Sequence, residues 1–384
     1  MDTPFIYDRY VTGKNFIGRK AECTALQNLL TQRESICIYE PPKSGKMSIV
    51  QQAIFNLRIG GCQFIPVHIN LFNLRSLKEF LLRFGSAVIR AALSTPAEYE
   101  EIVAEALSGT HFTFDREKFA SENAVLSTAG TPDKDDIQAM MKLPYIISEK
   151  KQTPIYYIIE EFQNIMAMEE LQYEAVFKAM ESTLRQADKT AEYTPSFIMT
   201  GSKVNAMKFI FEERKFFYRL VEHLPLEEID TREIIEHVVR GFLSSGKVIE
   251  RELVQGATAL FRCNMWYMNH LIAICDSLSK GFINDSVLKE ALQMIISIHE
   301  PKFMAMADDL TGHQLNMIRA ILDGNIKFSS SEVIEKYRFN SSANVRRLKD
   351  ALKKKEIITF NAKEEPVIMD PLFEYWIKTY YLAK

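Results

Sequence analysis

The chain has 384 residues, of which 47% are hydrophobic and 25% are charged, a balance that is typical of globular proteins and excludes disorder as the main state. This length predicts two or three domains. A net charge of −3 gives no global positive field to draw the molecule to DNA or anionic lipid, so any nucleic-acid contact must come from a local patch.

The first part of the chain alternates between helical and strand patterns. The helical patterns cover Ala21–Leu30, Lys46–Leu57, Leu77–Leu93, Glu98–Leu107 and Ile137–Glu149. The predicted strands are Ser35–Tyr39, Cys62–Leu71, Ile155–Glu160, Ser196–Gly201 and Val221–Leu226. Because the strands are apolar throughout, they predict a parallel sheet covered on both faces, which is a three-layer α/β domain. Residues 94–145 are interpreted as an insertion with a hairpin or loop in its polar stretch.

From about Thr231 the strand patterns stop, and four helices are predicted at Arg232–Ser244, Glu250–Leu260, Met265–Ser279 and Ser286–Ile298. From about Leu310, three helical patterns precede two short strands and a closing amphipathic helix. Three helices followed by a hairpin is the order of a winged helix-turn-helix. The predicted domains are therefore 1–229 (α/β), 230–305 (a helical lid) and 306–384 (a winged helix).

The cysteines and histidines are dispersed along the chain. Five cysteines without a C-x-x-C pair indicate a reducing compartment rather than a disulfide scaffold. The histidines show no spacing typical of a metal-ligand cluster. The N-terminus lacks the pattern of a signal peptide, and no apolar run approaches about 18 residues. We therefore expect a cytoplasmic protein without a membrane partner.

The segment EPPKSGKMS, Glu40–Ser48, lies between a predicted strand and a predicted helix, where a phosphate-binding loop belongs. Against the template G-x-x-x-x-G-K-[ST], Gly45 and Lys46 match. Backbone amides and the Lys46 ammonium can hold a phosphate. The thioether of Met47 cannot ligate Mg²⁺, and Ser48 lies about 100° further round the helix. The alternative is a plain strand–turn–helix with a chance Gly-Lys pair.

Two carboxylates end the apolar strand IYYIIEEFQNI, Ile155–Ile165. In P-loop proteins such residues position Mg²⁺ and the attacking water, so Glu160 is the candidate metal ligand and Glu161 the candidate base. The alternative is an ordinary polar strand end. Thr200 and Ser202 follow the next strand, where a polar side chain can reach a γ-phosphate or its water. The order of all these features along one chain favours a P-loop NTPase over the alternatives.

On these motifs the chain resembles the archaeal-type, AAA+-related ATPases of the STAND superfamily, in the version found in Bacteroidetes. The resemblance starts at PFIYDRYVTGKNFIGRKAE, where Phe16, Arg19 and Glu22 match an F-x-x-R-x-x-E pattern. It continues through PPKSGKMS, IIEEFQ (Ile158–Gln163), FIMTGS (Phe197–Ser202), Arg219 in FFYRLVEHLPL, and the C-terminal D-P-L-F-x-x-W motif that ends at Trp376.

The resemblance implies binding of ATP or ADP, with Lys46 on phosphate, Glu160 on Mg²⁺, Glu161 as base and Arg219 as a γ-phosphate sensor in its own site or a neighbour's. The candidate nucleotide-binding residues are Arg19, Pro42, Lys43, Ser44, Gly45, Lys46, Met47, Ser48, Thr200 and Ser202. Two departures, Met47 and the segment Cys263–Tyr267 without the family's Gly and Pro, predict slow or absent hydrolysis and weakened Mg²⁺ binding.

The predicted third helix of the winged domain is strongly basic. Between Lys336 and Lys355 eight basic residues stand against one acid. Arg346, Arg347, Lys349 and Lys353 are the candidate nucleic-acid contacts. Other interpretations are a solvated charged face, a surface that packs on the ATPase domain, or a protein-docking module, since Met306–Lys384 carries thirteen basic and eleven acidic residues.

The sequence thus predicts an ATP-binding switch protein of AAA+/STAND type. The alternatives are a DNA-binding regulator and a protein-interaction scaffold, each with a vestigial ATPase core. The expected partners are a nucleotide, DNA through the winged helix, and a protein partner or a second copy of the chain.

Overall fold

The computed structural model describes residues 5–361 and 363–383. Residues 1–4, 362 and 384, which fall in the predicted first and third domains, lie outside the described residues. Within the described residues, no helix combines the length and the apolar character needed to cross a bilayer.

Sixteen α-helices are found in the described residues. In chain order they are α1 (Lys20–Thr31), α2 (Lys46–Ile59), α3 (Leu77–Ala92), α4 (Pro96–Ala106), α5 (Arg116–Glu122), α6 (Lys134–Lys151), α7 (Glu170–Gln186), α8 (Val204–Lys208), α9 (Thr231–Ser244), α10 (Arg251–Leu260), α11 (Met265–Leu278), α12 (Asp285–Asp308), α13 (Gly312–Leu322), α14 (Ser331–Tyr337), α15 (Ser342–Lys354) and α16 (Pro371–Trp376).

The strands are β1 (Ser35–Tyr39), β2 (Ile65–Asn70), β3 (Phe112–Thr113), β4 (Ser127–Thr128), β5 (Ile155–Glu160), β6 (Ser196–Gly201), β7 (Val221–His223), β8 (Val248–Ile249), β9 (Phe282–Ile283), β10 (Ile358–Phe360) and β11 (Pro366–Ile368). Short 3-10 turns occupy Gly13–Asn15 and Phe162–Ala167, and π-helical turns occupy Phe209–Glu213 and Ile377–Tyr381.

The chain divides into two compact units. The sheet unit comprises Ala21–Glu40 and Gln52–Leu226. The lid and winged-helix unit comprises the described residues up to Lys20, the loop segment Pro41–Gln51, and the described residues from Glu227 onward.

The sheet unit is built on five parallel strands in the order β2-β5-β6-β1-β7. Ile36 of β1 and Ile158 of β5 both pair with Ile198 of β6, so the three central strands are in step. Every residue of β1 and β6 is buried, as expected for strands that read as continuous apolar runs. The predicted parallel sheet is confirmed, and β1, β5 and β6 have the predicted bounds.

The insertion, residues 94–145, contains more structure than the predicted hairpin or loop. β3 and β4 form a two-residue antiparallel ladder, with α5 between them. Cys62, expected inside a buried strand, is exposed, because β2 begins only at Ile65.

In the lid and winged-helix unit, helices α9–α12 follow the loop segment Pro41–Gln51, and two predictions for this region are wrong. Strands do not stop at Thr231, because β8 and β9 form a short parallel pair. The predicted helix Ser286–Ile298 is also longer, since α12 continues to Asp308 through Pro301. The predicted boundary between residues 305 and 306 therefore falls inside a helix.

The C-terminal segment has the predicted winged-helix order of α13, α14 and α15, followed by the antiparallel β10–β11 hairpin and α16. Within this unit, α16 packs against α12: the Phe303 ring lies 5.6 Å from that of Phe373 and 5.7 Å from that of Trp376. The lid helices and the winged helix thus share one hydrophobic core.

Candidate functional site

The loop that precedes α2 has the backbone geometry of an anion-binding turn. Lys43 and Gly45 have left-handed backbones, with φ of 67° and 92°, and Ser44 between them does not. Such alternation turns successive amides toward one concave face. A Cβ at Gly45 would also approach Nη1 of Arg19 to 3.1 Å, so both conformation and space favour glycine here.

Lys46 is folded back over this loop. Its Nζ donates a hydrogen bond to the Pro41 carbonyl at 2.9 Å and lies 3.4 Å from the Ser44 hydroxyl. Although it carries a charge, Lys46 is 9% exposed. Its ammonium therefore sits inside the turn, where a phosphate oxygen can replace the carbonyl as acceptor.

Arg19 braces the same loop. Its Nη1 donates to the Ser44 carbonyl at 2.6 Å, and its Nε donates to the Glu227 carbonyl at 3.2 Å. The guanidinium thereby ties the middle of the loop to the segment that leads into α9. These contacts give Arg19 a positioning role in the loop.

The hydroxyl that follows Met47 is used for a structural contact. Ser48 Oγ accepts a hydrogen bond from the Val11 amide at 3.2 Å, which fastens the N-terminal segment to the first turn of α2. The residue between Lys46 and Ser48 is Met47, whose thioether is a poor ligand for a hard cation such as Mg²⁺.

A cleft of about 730 Å³ lies between this N-terminal segment and α9. Among the described lining residues, the basic groups Arg9, Lys14 and Arg240 outnumber the carboxylates, of which Asp8 is one. The wall also carries His237, whose buried Nε2 has no hydrogen-bond partner within the described part of the chain. The cleft therefore suits a ligand with negative charge, and its volume is in the range of small-molecule sites.

In the sheet unit, Glu161 is held at the carboxyl end of β5 by two short hydrogen bonds. Both Ser202 Oγ and Gln163 Nε2 donate to its Oε2 at 2.6 Å. The Glu161 backbone is left-handed, with φ of 57°, a conformation that a non-glycine residue keeps only when its surroundings hold it. The candidate base is thus fixed in one orientation.

Glu160 and Thr200 lie at the same sheet edge. One Glu160 oxygen is 3.7 Å from Nδ1 of His68, and the Thr200 hydroxyl is 3.5 Å from the Ile159 carbonyl. The Glu160 side chain is 27% exposed and offers a carboxylate beside an imidazole, whereas Mg²⁺ prefers octahedral oxygen ligands.

Arg219 is not brought to this edge. It precedes β7, whose Val221 pairs with Ser35 at the amino end of β1. The amino end of β7 lies about 10 Å below the level of Glu160, since parallel strands rise about 3.3 Å per residue. The exposed Arg219 guanidinium lies 5.2 Å from the Tyr218 ring instead.

The four basic residues of α15 have unequal surroundings. Arg346 and Arg347 are exposed. Lys349 lies with its Nζ 4.4 Å from the centre of the Phe328 ring, and burial lowers its pKa. Lys353 is only partly exposed. The two arginines are therefore the best placed of the four to reach a polyanion.

Comparison with solved structures places the whole chain among P-loop ATPases in fold. A Walker-type ATPase of Pyrococcus abyssi has a TM-score of 0.66 and 12% identity, covering 98% of this chain and 99% of that chain. The ORC2 protein of Aeropyrum pernix, in ADPNP–ADP complexes, has a TM-score of 0.56 and 12% identity, covering 97% of both. The ORC1 protein of the same organism, in complex with DNA, has a TM-score of 0.50 and 12% identity, covering 99% and 97%.

A family model described as "Probable winged helix domain" matches residues 301–379. No curated protein matches the sequence. The predicted fold, a P-loop ATPase-like domain with a C-terminal winged helix, is thereby confirmed.

Sequence reasoning missed several of these groups. Gln163 was part of the quoted motif, but only the hydrogen bond shows that it orients Glu161. Arg9 and Lys14 lie in the N-terminal segment of the resemblance but outside its F-x-x-R-x-x-E pattern, and the fold brings Arg240 of α9 to the same cleft.

One group of potential metal ligands also appears where the sequence predicted none. His111, Asp133 and Asp136 place ligand atoms within 4.8 Å of one another. Asp136 accepts hydrogen bonds from the His111 and Asp133 amides at 2.7 Å each and belongs to the capping box of α6. The group is therefore accounted for as a helix cap.

Proposed function

We propose that this protein is an ATP- or ADP-binding switch whose hydrolysis is slow or absent. The observation that carries the proposal is the turn at Lys43–Lys46, in which an alternating backbone surrounds an enclosed ammonium. Support comes from the fold, which it shares with an ORC2 protein solved with ADP and ADPNP. In this proposal the phosphates bind the loop amides, and the Lys46 ammonium moves from the Pro41 carbonyl to a phosphate oxygen.

The cleft beside the loop is proposed to take the base and ribose. The segment that lines it is hydrogen-bonded through Val11 to Ser48, directly after the loop, so one nucleotide can bridge the two features. Arg9, Lys14 and Arg240, which line the cleft, would attract the negatively charged nucleotide. Binding there would order the loop and the N-terminal segment together, which is how occupancy would shift the conformational equilibrium.

Slow hydrolysis follows from the donor sets. At the loop, a thioether stands where a Mg²⁺-ligating hydroxyl is needed. At the strand ends, Ser202 and Gln163 both donate to Oε2 of Glu161 and hold this carboxylate in one orientation.

Calorimetric titration of ATP and ADP tests the proposal. Wild type should bind, and Lys46→Ala should weaken binding by roughly 10- to 100-fold, the size of a charge-assisted hydrogen-bond contribution. The matched control is Lys354→Ala, which removes one exposed lysine from the far end of α15 and should bind normally. Absence of binding by wild type would overturn the proposal.

A second candidate is DNA binding through α15. It is favoured by the exposed Arg346 and Arg347 on the third helix of a winged-helix domain, and by the likeness to an ORC1 protein solved with DNA. Gel-shift titration at several salt concentrations should show a steep slope that Arg346→Ala/Arg347→Ala reduces. Equal weak binding by both proteins would reject it.

Self-association is proposed as the setting in which Arg219 acts. Its position away from Glu160 and Glu161 in the sheet favours a role toward a neighbouring copy rather than its own site. Size-exclusion chromatography with and without ATP tests this, since Arg219→Ala should abolish any ATP-dependent increase in size.

A further inference from the structure

Lys43 of the candidate phosphate loop directs its side chain onto an aromatic residue of α11. Its Nζ lies 3.3 Å from the centre of the Trp266 ring and 5.6 Å from that of Tyr267. The Asn264 side chain fixes the backbone at the start of α11 by accepting from the Trp266 and Tyr267 amides, and the indole ring packs edge-on against the rings of Tyr267 at 5.1 Å and Tyr7 at 6.0 Å. A rigid π face is therefore presented to the ammonium.

The walls around this contact are aromatic and uncharged at neutral pH. The rings of His270 and His299 stand edge-on to Trp266 at 5.1 Å and 5.6 Å, and Tyr7 stacks on His270 at 4.3 Å. Burial, followed by the charge of Lys43, lowers the pKa of His270 and brings the pKa of His299 to about 4.

The ammonium is held there at an energetic disadvantage relative to water. Burial first, and then the nearby Lys302, lowers the Lys43 pKa to about 8, although Asp370 opposes the shift. The Lys43 backbone is also left-handed, which is unfavourable for a residue with a Cβ. The contact is thus specific in geometry but poorly solvated.

We propose that Lys43 and Trp266 form a latch that a phosphate chain at the loop opens by taking the Lys43 ammonium away from the indole. The proposal rests on the nucleotide-binding function proposed above. The Trp266 ring and the polyphosphate compete for the Lys43 ammonium. A strong anion is needed, because the new contact must compensate the loss of the cation–π contact.

The pH dependence of the latch follows from linkage. Burial lowers the Lys43 pKa to about 8 in the latched form, and release relieves that burial, so in the pH window above about 8 the latched form holds fewer protons. Raising the pH through this window therefore favours the latched form, and lowering it favours release. Opening by ATP should be efficient near pH 7 and become progressively harder above pH 8.

Tryptophan fluorescence reports the contact directly, because the chain has only two tryptophans, Trp266 and Trp376. Wild type should show an emission change with a midpoint near pH 8 as Lys43 loses its proton beside the indole. Lys43→Met removes the titrating ammonium and should therefore lack this step. Trp376 is present in both proteins, so its emission does not account for a difference between them. Lys302→Met should shift the midpoint upward, because it removes a charge that lowers the Lys43 pKa. Identical titrations of wild type and Lys43→Met would overturn the proposal.

ATP titrations at pH 7 test the release. Saturating ATP should change the emission of wild type toward that of Lys43→Met, and Trp266→Ala should raise the affinity for ATP roughly 3- to 30-fold by removing the competing contact. If Trp266→Ala does not fold, Trp266→Leu replaces it in the same titration with the same expected rise in affinity, because leucine fills part of the space but offers no π face. ATP binding by calorimetry without any emission change would overturn the latch and leave the nucleotide function standing. No ATP binding at all would refute the proposed function and also the latch as a switch, even if the pH step near 8 showed the contact itself.

Discussion

The hydrogen bond from Tyr267 to Asp370 is predicted to fasten the winged helix to the lid within their common unit. The buried Tyr267 hydroxyl lies 2.8 Å and 2.9 Å from the two Asp370 carboxylate oxygens. Asp370 also caps α16 by accepting from the Leu372 and Phe373 amides. Tyr267→Phe removes the phenolic donor but keeps the ring that stacks on Phe261 at 5.4 Å.

The expected loss can be worked out from these contacts. A hydrogen bond to a charged acceptor contributes about 1.5–3 kcal/mol. Because Asp370 keeps two amides and an ion pair with Lys302 at 3.8 Å, it is not left without partners, and we expect the lower end, about 1.5–2 kcal/mol. For a unit of this size that lowers Tm by about 3–8 °C.

Chemical and thermal unfolding of Tyr267→Phe, Asp370→Asn and the double variant give the coupling directly, which should exceed about 1 kcal/mol. Tyr381→Phe, a control whose ring packs on Trp376, should change stability by less than about 0.5 kcal/mol. A coupling near zero would refute the assignment.

The same hydroxyl predicts a pH dependence of stability. Burial, and then the Asp370 charge, raises the Tyr267 pKa above its usual 10. The native state should therefore lose stability as the pH rises past 10, and Tyr267→Phe should lose less.

Three further predictions concern the loop, the strand ends and the basic helix. Met47→Thr supplies the missing hydroxyl ligand and should raise Mg²⁺-dependent ATP hydrolysis by about tenfold or more, measured as phosphate release; an unchanged rate would contradict the metal argument. Ser202→Ala removes one of two donors to Glu161 and should lower the free energy of unfolding by about 1 kcal/mol, whereas Ser202→Thr should not. Arg346→Ala/Arg347→Ala should reduce the slope of log affinity for duplex DNA against log salt by about 2, and an unaltered slope would place any DNA contact elsewhere.

The sheet could be predicted closely from the sequence because its central strands are buried on both faces. β1, β5 and β6 are uninterrupted apolar runs, each bounded by turn residues, and their limits were predicted to the residue. Local sequence determines such strands, since no surface position breaks the apolar pattern.

The elements that were missed depend on longer-range structure. β8 and β9 have two residues each, too few for any periodicity to appear. The predicted helix Ser286–Ile298 stopped short of Pro301, whereas α12 continues through this proline to Asp308.

The candidate site was predictable only in part, for the same reason. The loop residues and the two glutamates follow directly from local motifs. The partners that set their behaviour do not, because Trp266 stands more than 200 positions from Lys43, and Ser202 stands 41 positions from Glu161. Side chains that meet only through the fold carry no local pattern.

A structure of the protein crystallised with ATP would test the central claim most directly. We predict phosphate density in the turn Lys43–Lys46, with Lys46 Nζ moved from the Pro41 carbonyl to a phosphate oxygen. The account would be contradicted if, at saturating ATP, Lys46 Nζ still donated to the Pro41 carbonyl and the turn held no phosphate density.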